Sequence, residues 1–422
     1  MDLSPERLRR PARLLSALAV TAALGTGLAA CGSDDDNDSA GGSSTAAADT
    51  GTTAAAPAEL EAGTVKLGLA TALTGYLAPY NAPLNNGIKL AVEQINARGG
   101  VGGRVRLELA EGDVKSDPAT AGTVAQQLVD GGANVLVSLC DTDSQVSIAA
   151  VAQRTETLNI SPCNADPTIP SKFDAYWPVA MGANAQTATL ADQVKEAGGR
   201  NVWILEDSGV LYIRLISDWF ERAAESRGLE IVGTDTFRTG SKDFAAQIAK
   251  LRNANPRPDA IVSAMLTPDV ATFLRQLRAA GVDTPFYGTD GFDSQLTLRV
   301  GGDAVEGATF TTFGYPTRGS PTEQFYADYR TEYGQDPDGA FAALGSSAIQ
   351  VLASAIEQAR STDSAAIARA LSDGLTVDTP LGEVAYPGGG EHIPAIPVQV
   401  TRVQDGRFVS VANGPAQDVP TP

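Results

Sequence analysis

Two spacings of apolar residues alternate along this chain. From about residue 63 onward, short unbroken apolar runs are followed by stretches in which apolar residues recur every three or four positions. Residues 64–70 form the first such run and predict a buried strand. Ile88, Ala91, Val92 and Ile95 then fall at i, i+3, i+4 and i+7, the mark of one helix face, and Gly99-Gly100 ends it. Residues 105–110 read as a second strand. Asp117-Pro118 supplies a cap and a first-turn proline to the next helix, which Gly131-Gly132 closes. Residues 134–139, nearly all apolar, predict a third strand.

The same rhythm returns further on. Residues 201–206 and 229–232 read as strands flanking a helix over 214–227 that Gly228 closes. Phe244, Ile248 and Leu251 form a helix stripe, and 259–265 a strand. Thr267-Pro268 is expected to cap a helix whose apolar face carries Val270, Phe273, Leu274 and Leu277, with Gly281 at its end. Two successive β-α-β runs predict an α/β protein of two doubly wound parallel-sheet lobes. No short-period repeat is present, so the chain is not read as a solenoid.

The first residues follow a different logic. Arg7, Arg9, Arg10 and Arg13 precede an apolar run from residue 14 to 28, too short and too rich in Ala and Gly for a membrane span. The run ends in Leu28-Ala29-Ala30-Cys31-Gly32, which resembles a bacterial lipobox. On that reading residues 1–30 are a lipoprotein signal peptide and Cys31 carries a lipid. The alternative is a plain signal peptide with an incidental cysteine. Residues 31–62 are small, acidic and free of aromatics, a composition that predicts a disordered tether. The expected location is therefore extracytoplasmic, lipid-anchored to the cell membrane.

Composition narrows the chemistry. With 43% hydrophobic residues the chain can fill two cores, and a net charge of −19 argues against nucleic acid as a partner. The single His and three Cys leave little for metal or nucleophile chemistry, and no cofactor or metal is expected. No nucleophile elbow, zinc-binding helix or phosphate loop is found. The Gly99–Gly103 stretch follows a helix and precedes a strand, the wrong setting for a dinucleotide. An enzyme is not expected.

Several short segments together carry a family resemblance. They are Leu73-Thr74-Gly75, the run from Asn86 to Asn96 with Gly99-Gly100, Asp117-Pro118, Leu139-Cys140, Ile160-Ser161-Pro162, Lys242-Asp243-Phe244, Gly288-Thr289-Asp290-Gly291 and Gly302-Asp303-Ala304-Val305-Glu306-Gly307. In this order and spacing, residues 63 to about 410 resemble the type 1 periplasmic solute-binding proteins, in their leucine/isoleucine/valine-binding branch. The resemblance implies a three-strand hinge, with crossings near 181–184, 309–313 and 394–397. Lobe 1 would be 63–183 plus 312–395, and lobe 2 would be 184–311 plus 396–422. It implies a monomer that closes on a small polar ligand, an amino acid or related amide or amine, and delivers it to an ABC permease and its ATPase. A ligand-sensing receptor of the same fold is the alternative, and a hydrolase stands behind both.

The resemblance also nominates site residues. The family's carboxylate-binding positions on lobe 1 fall at Asp141, Cys163 and Ala165, with Thr142 beside them. Here Asp141 replaces a hydroxyl residue and Ala165 a threonine, with Asp143 a second acid nearby. A ligand carboxylate would meet like charge unless these acids point away as helix caps, so a cationic or neutral polar ligand gains weight. On lobe 2, Asp290 falls where the family binds an ammonium; the alternative is a turn-stabilising Asp. Tyr212 matches a cleft tyrosine, and Tyr80 an aromatic bordering the cleft. Leu266 stands where a tyrosine is common, and Phe313 or Tyr315 would line the pocket. Cys140 ends one strand and Cys163 follows another, so a disulfide across the pocket floor is expected, against two free thiols.

Overall fold

The computed structural model describes residues 59–163 and 166–422. The expected signal segment, Cys31 and Ala165 lie outside the described residues, as does most of the expected tether. Packing begins inside that expected tether: Leu60 is buried, and Glu59 pairs with Arg104 at 2.7 Å.

The chain first lays down β1 (Gly63–Thr71), α1 (Ala78–Ala97), β2 (Val105–Asp113), α2 (Pro118–Asp130), β3 (Val135–Ser138), α3 (Thr142–Arg154), β4 (Leu158–Ser161) and β5 (Tyr176–Pro178). Then come α4 (Ala183–Glu196), β6 (Asn201–Asp207), α5 (Leu211–Arg227), β7 (Glu230–Phe237), α6 (Ala245–Arg252), β8 (Ala260–Val262), α7 (Asp269–Ala279), β9 (Phe286–Gly288), α8 (Gln295–Gly301) and β10 (Thr309–Thr312). The last part holds α9 (Pro321–Tyr333), α10 (Phe341–Ala359), α11 (Ser364–Ser372), the hairpin β11 (Leu375–Thr379) and β12 (Gly382–Tyr386), then β13 (Val398–Gln404) and β14 (Arg407–Gly414).

Two sheets result. One has the order β2-β1-β3-β4-β5 and is parallel throughout. The other has the order β14-β13-β10-β9-β8-β6-β7; β6 to β10 are parallel, and β13 and β14 add antiparallel at the β10 edge. Numbered within its own run, β6 to β10 repeat the order of the first sheet, with the second strand outside the first and the third on its other side. In such a doubly wound sheet, neighbouring connections leave opposite faces where the order reverses. A crevice opens there at the carboxyl ends of the strands. The two reversals are β1/β3 and β6/β8.

Local signals explain most of these elements. Asp117 caps α2 through the Ala119 amide at 3.0 Å, with Pro118 at the first turn, as its sequence predicts. The expected cap of α7 is different in fact. Pro268 occupies the N-cap with no side-chain bond, and the Thr267 hydroxyl turns instead to the Gly291 carbonyl and the Thr297 hydroxyl. Strand β8 is shorter than the apolar run 259–265 implies, because Ala264, Met265 and Leu266 leave the sheet and join the buried core beyond it.

Helix α10 returns from the second sheet and packs along α1. The approach is backbone to backbone. A Cβ on Gly87 would collide with the Ala342 carbonyl, and one on Gly345 with the Leu84 carbonyl. Only glycine leaves room for these contacts. Gly87→Ala must therefore separate the helices. It is expected to destabilise the protein by at least about 2 kcal/mol, the scale of core overpacking. Chemical denaturation checks this, and an unchanged midpoint would show that the helices do not meet at Gly87.

Candidate functional site

A cavity of ≈60 Å³ lies where both order reversals converge. After β1 come Leu77 and, on the first turn of α1, Tyr80; after β3 come Cys140 and Asp141, with Thr142 starting α3. From the other sheet, Val210 follows β6 and Tyr212 lies on the first turn of α5, β8 is followed by Leu266, and β9 by Asp290 and Gly291. Phe313 follows β10, and Cys163 follows β4. Every described residue nominated from the sequence as ligand-binding thus lines this one cavity; Tyr315, the alternative to Phe313, does not. A wider groove of ≈1200 Å³ passes Tyr315, Arg330, Asp336 and Arg407, but it touches neither reversal, and Arg330 there is already paired with Asp336.

The wall from the first sheet is braced. Cys140 and Cys163 are joined as a disulfide, with Cα atoms 5.2 Å apart. Beneath it, Gln145 donates to the carbonyls of Leu139 at 3.0 Å and Cys163 at 3.1 Å, and accepts from the Tyr176 hydroxyl at 3.2 Å. Asn81 accepts from the Cys140 amide at 3.2 Å. Asp141 is the N-cap of α3, accepting from the Ser144 amide at 3.1 Å and from the Ser144 hydroxyl. Burial raises its carboxyl above the ordinary value, and the charge of Asp143 adds to this, against the bonds from Ser144.

Asp290, 8% exposed, is the counterpart on the second sheet. The Tyr212 hydroxyl donates to it at 2.6 Å and also lies 2.7 Å from the Thr289 hydroxyl. Gln186, on the first turn of α4, lies beside the same carboxylate and favours its charged form. Burial raises Asp290, and these neighbours offset only part of the rise. Burial and the Asp290 charge also raise the Tyr212 phenol far above its usual value, so it stays a donor. No ion pair among the described residues involves Asp141 or Asp290. The cavity lining holds these two carboxylates and no Lys, Arg or His.

Tyr80 spans the cleft. Its hydroxyl donates to the Gly291 carbonyl at 3.1 Å and accepts from the Thr267 amide at 2.8 Å. Its ring meets Phe341 edge-on, and Phe341 meets Phe313, so the remaining wall is aromatic. Leu77, Cys140, Gln145, Gln186, Val210, Gly291 and Phe341 complete the lining beyond the nominated ligand-binding residues. Gln145 and Gln186 carried a signal in hindsight, since each is a polar residue on the buried face of its helix.

Comparison with known proteins decides the family. The family model for periplasmic binding proteins matches residues 64–407. The chain belongs to the periplasmic binding protein family. The Leu/Ile/Val-binding protein homolog 3 of Brucella melitensis is 26% identical over 350 residues, covering 82% of this chain and 93% of that protein. The leucine-, isoleucine-, valine-, threonine- and alanine-binding protein of Pseudomonas aeruginosa is 28% identical over 337 residues, covering 79% of this chain and 88% of its own. Among solved structures, the leucine-binding protein LivK of Thermotoga maritima matches with a TM-score of 0.76 and 26% identity, over 84% of this chain and 99% of that one. A solute-binding protein of R. palustris in complex with benzoate has the same fold, with a TM-score of 0.74 and 18% identity, over 84% of this chain and 98% of that one. These relatives are solute-binding proteins, not enzymes, and the family implies an extracytoplasmic location. Among the described residues of this periplasmic binding protein, no helix is long and apolar enough to cross a membrane, and no side-chain cluster could hold a metal ion.

Two expectations follow from the geometry. Tyr80→Phe removes two buried hydrogen bonds that tie α1 to the segments after β8 and β9, each worth ~1 kcal/mol, and should destabilise the protein by about 2 kcal/mol. Chemical denaturation would show the loss; an unchanged midpoint would deny the bridge. The second concerns Asp293, which accepts from the Thr312 hydroxyl at 2.6 Å and the Ala340 amide at 3.0 Å, and whose burial pushes its carboxyl up to about 6. Between its ordinary 3.8 and about 6, the folded state holds a proton that the unfolded chain has released. Stability therefore falls as pH rises through that window. The melting midpoint should climb as the buffer goes from pH about 7 to about 5, and Asp293→Asn should flatten the climb. Equal slopes in both proteins would refute the role given to Asp293.

Proposed function

We propose that this protein is a lipid-anchored extracytoplasmic receptor for a small amine-bearing solute, an amino acid or a related amide or amine, which it passes to an ABC permease and its ATPase. The lobes are taken as 63–183 with 312–395 and 184–311 with 396–422, and the protein acts as a monomer held through Cys31. The observation that carries the reading is Asp290. It is a buried carboxylate facing the cavity, hydrogen-bonded by Tyr212 yet without a cation. A buried charge is costly unless it is paired, and a ligand ammonium supplies the missing charge. Tyr80, Thr142 and Phe313 then line the rest of the ligand, and Leu266 packs its apolar part.

Other features of the cavity agree. At ≈60 Å³ it suits a compact solute, far below the few hundred cubic ångströms of drug-sized pockets. The curated relatives are named for binding aliphatic amino acids. The benzoate-bound neighbour shows that this fold does not choose a ligand by itself, and two acidic walls without a base disfavour an aromatic acid here. Hinge motion of one sheet unit against the other would close the cleft, and the ligand favours the closed state only by its differential affinity.

Calorimetry with leucine, isoleucine, valine, their amides, the matching amines and benzoate tests the reading. Asp290→Asn should weaken every amine-bearing ligand at least tenfold, a loss of about 1.4 kcal/mol or more, while the ligand-free melting midpoint stays level or rises. Undiminished affinity in the variant, or binding of benzoate alone, would rule the proposal out.

A further inference from the structure

The first turn of α3 already holds an anion. The orphan amides at a helix start, with the dipole behind them, are the natural seat for a ligand carboxylate. In this chain the Asp141 side chain has taken that seat. It accepts from the Ser144 amide at 3.1 Å and from the Ser144 hydroxyl. It is 8% exposed and lines the cavity, so its charge lies in the wall beside whatever binds there. Asp290 supplies a second negative wall from the other sheet, and no cation in the lining offsets either.

A second feature points to a ligand at the same place. Thr142, next to Asp141, is 1% exposed, and its hydroxyl has no hydrogen-bond partner among the described residues. Buried hydroxyls are seldom left unpaired, because the desolvation cost is then uncompensated. Since Thr142 lines the cavity, a ligand is the group placed to satisfy it.

We infer that the ligand is an amine without a free carboxylate: its ammonium lies against Asp290, and its other polar end, an amide, hydroxyl or second amine, meets Asp141 and Thr142. This rests on reading the cavity as a solute site. A ligand carboxylate would be desolvated against the Asp141 charge, with the Ser144 amide already engaged. An amide NH2 or second ammonium instead donates to that same oxygen pair.

The test is calorimetry on the full chain with matched pairs, the free acids and the amides of glycine, alanine, leucine and phenylalanine, together with 3-methylbutylamine and 1,4-diaminobutane. The wild type should bind amides or amines at least tenfold more tightly than the matched acids. Asp141→Ser and Asp141→Asn keep a helix-capping side chain and remove the charge, so both should fold. In both, the preference should shrink at least tenfold, with the free acids gaining. Acids bound as tightly as amides by the wild type, or a preference unmoved in both variants, would overturn this inference and leave the solute-site reading intact. Binding of none of these compounds would overturn both together.

Discussion

The glycine contact between α1 and α10 is the constraint on which the rest is hung. The chain leaves the first sheet after β5, builds the second, and only then returns with α10. What registers that late helix against the early one is carbonyl-to-glycine packing at Gly87 and Gly345. Side-chain packing alone would allow sliding by a fraction of a turn, whereas backbone contact does not. The N-terminal turns of the two helices carry Tyr80 and Phe341, whose rings meet at 5.4 Å to form the aromatic end of the cavity. A shift along α1 would move Tyr80 off the Gly291 carbonyl and Thr267 amide, and the two sheets would lose their bridge. Stability and site geometry are therefore set by one contact.

The duplicated strand order supplies the rest of the geometry. Each sheet opens its crevice where its winding reverses, and the cavity forms because the two crevices face each other. Each crevice presents a helix start or turn that carries a carboxylate, Asp141 on one side and Asp290 on the other. The support beneath them differs. Asp141 is held by its own helix, above a disulfide and the Gln145 network. Asp290 is flanked by side chains from other elements, Tyr212 of α5 and Gln186 of α4. The first wall is thus rigid by local bonding, and the second by convergence of distant segments.

Much of this was legible in the sequence. Period and punctuation found β1, α1, α2 and α5, because each has a strong apolar pattern and a clear stop. The doubly wound class followed from the alternation alone, and the family resemblance then pointed to Tyr80, Asp141, Tyr212 and Asp290. Other features depend on tertiary partners. Thr267-Pro268 resembles a helix start, yet the hydroxyl is drawn to Gly291 and Thr297 across a loop that no local rule reveals. The run 259–265 looks like one long strand, but its last apolar residues are buried by the core beyond the sheet edge. Gln186 sits in the first turn of α4, at the crossing into the second sheet, and Phe341 in the first turn of α10, which only the return path brings to the cavity. Past Gly281, the apolar pattern of α9 to α11 and the β11–β12 hairpin reflects packing against elements laid down hundreds of residues earlier.

The unmatched charge in the cavity bears on how closure would be driven. Asp141 and Asp290 are buried with only neutral donors, and both carboxyls are pushed upward as a result. If the two sheet units hinge as proposed, the Tyr80 bridge and the aromatic end would favour closure, while the two desolvated carboxylates would oppose it. Opening would return water to both acids and so relieve the cost. A ligand cation would reverse the balance, since it would remove that cost only in the closed state, where it touches both walls. On the proposed reading, the differential affinity that closure needs is thus stored in the site as electrostatic cost, to be released by the charge of the ligand.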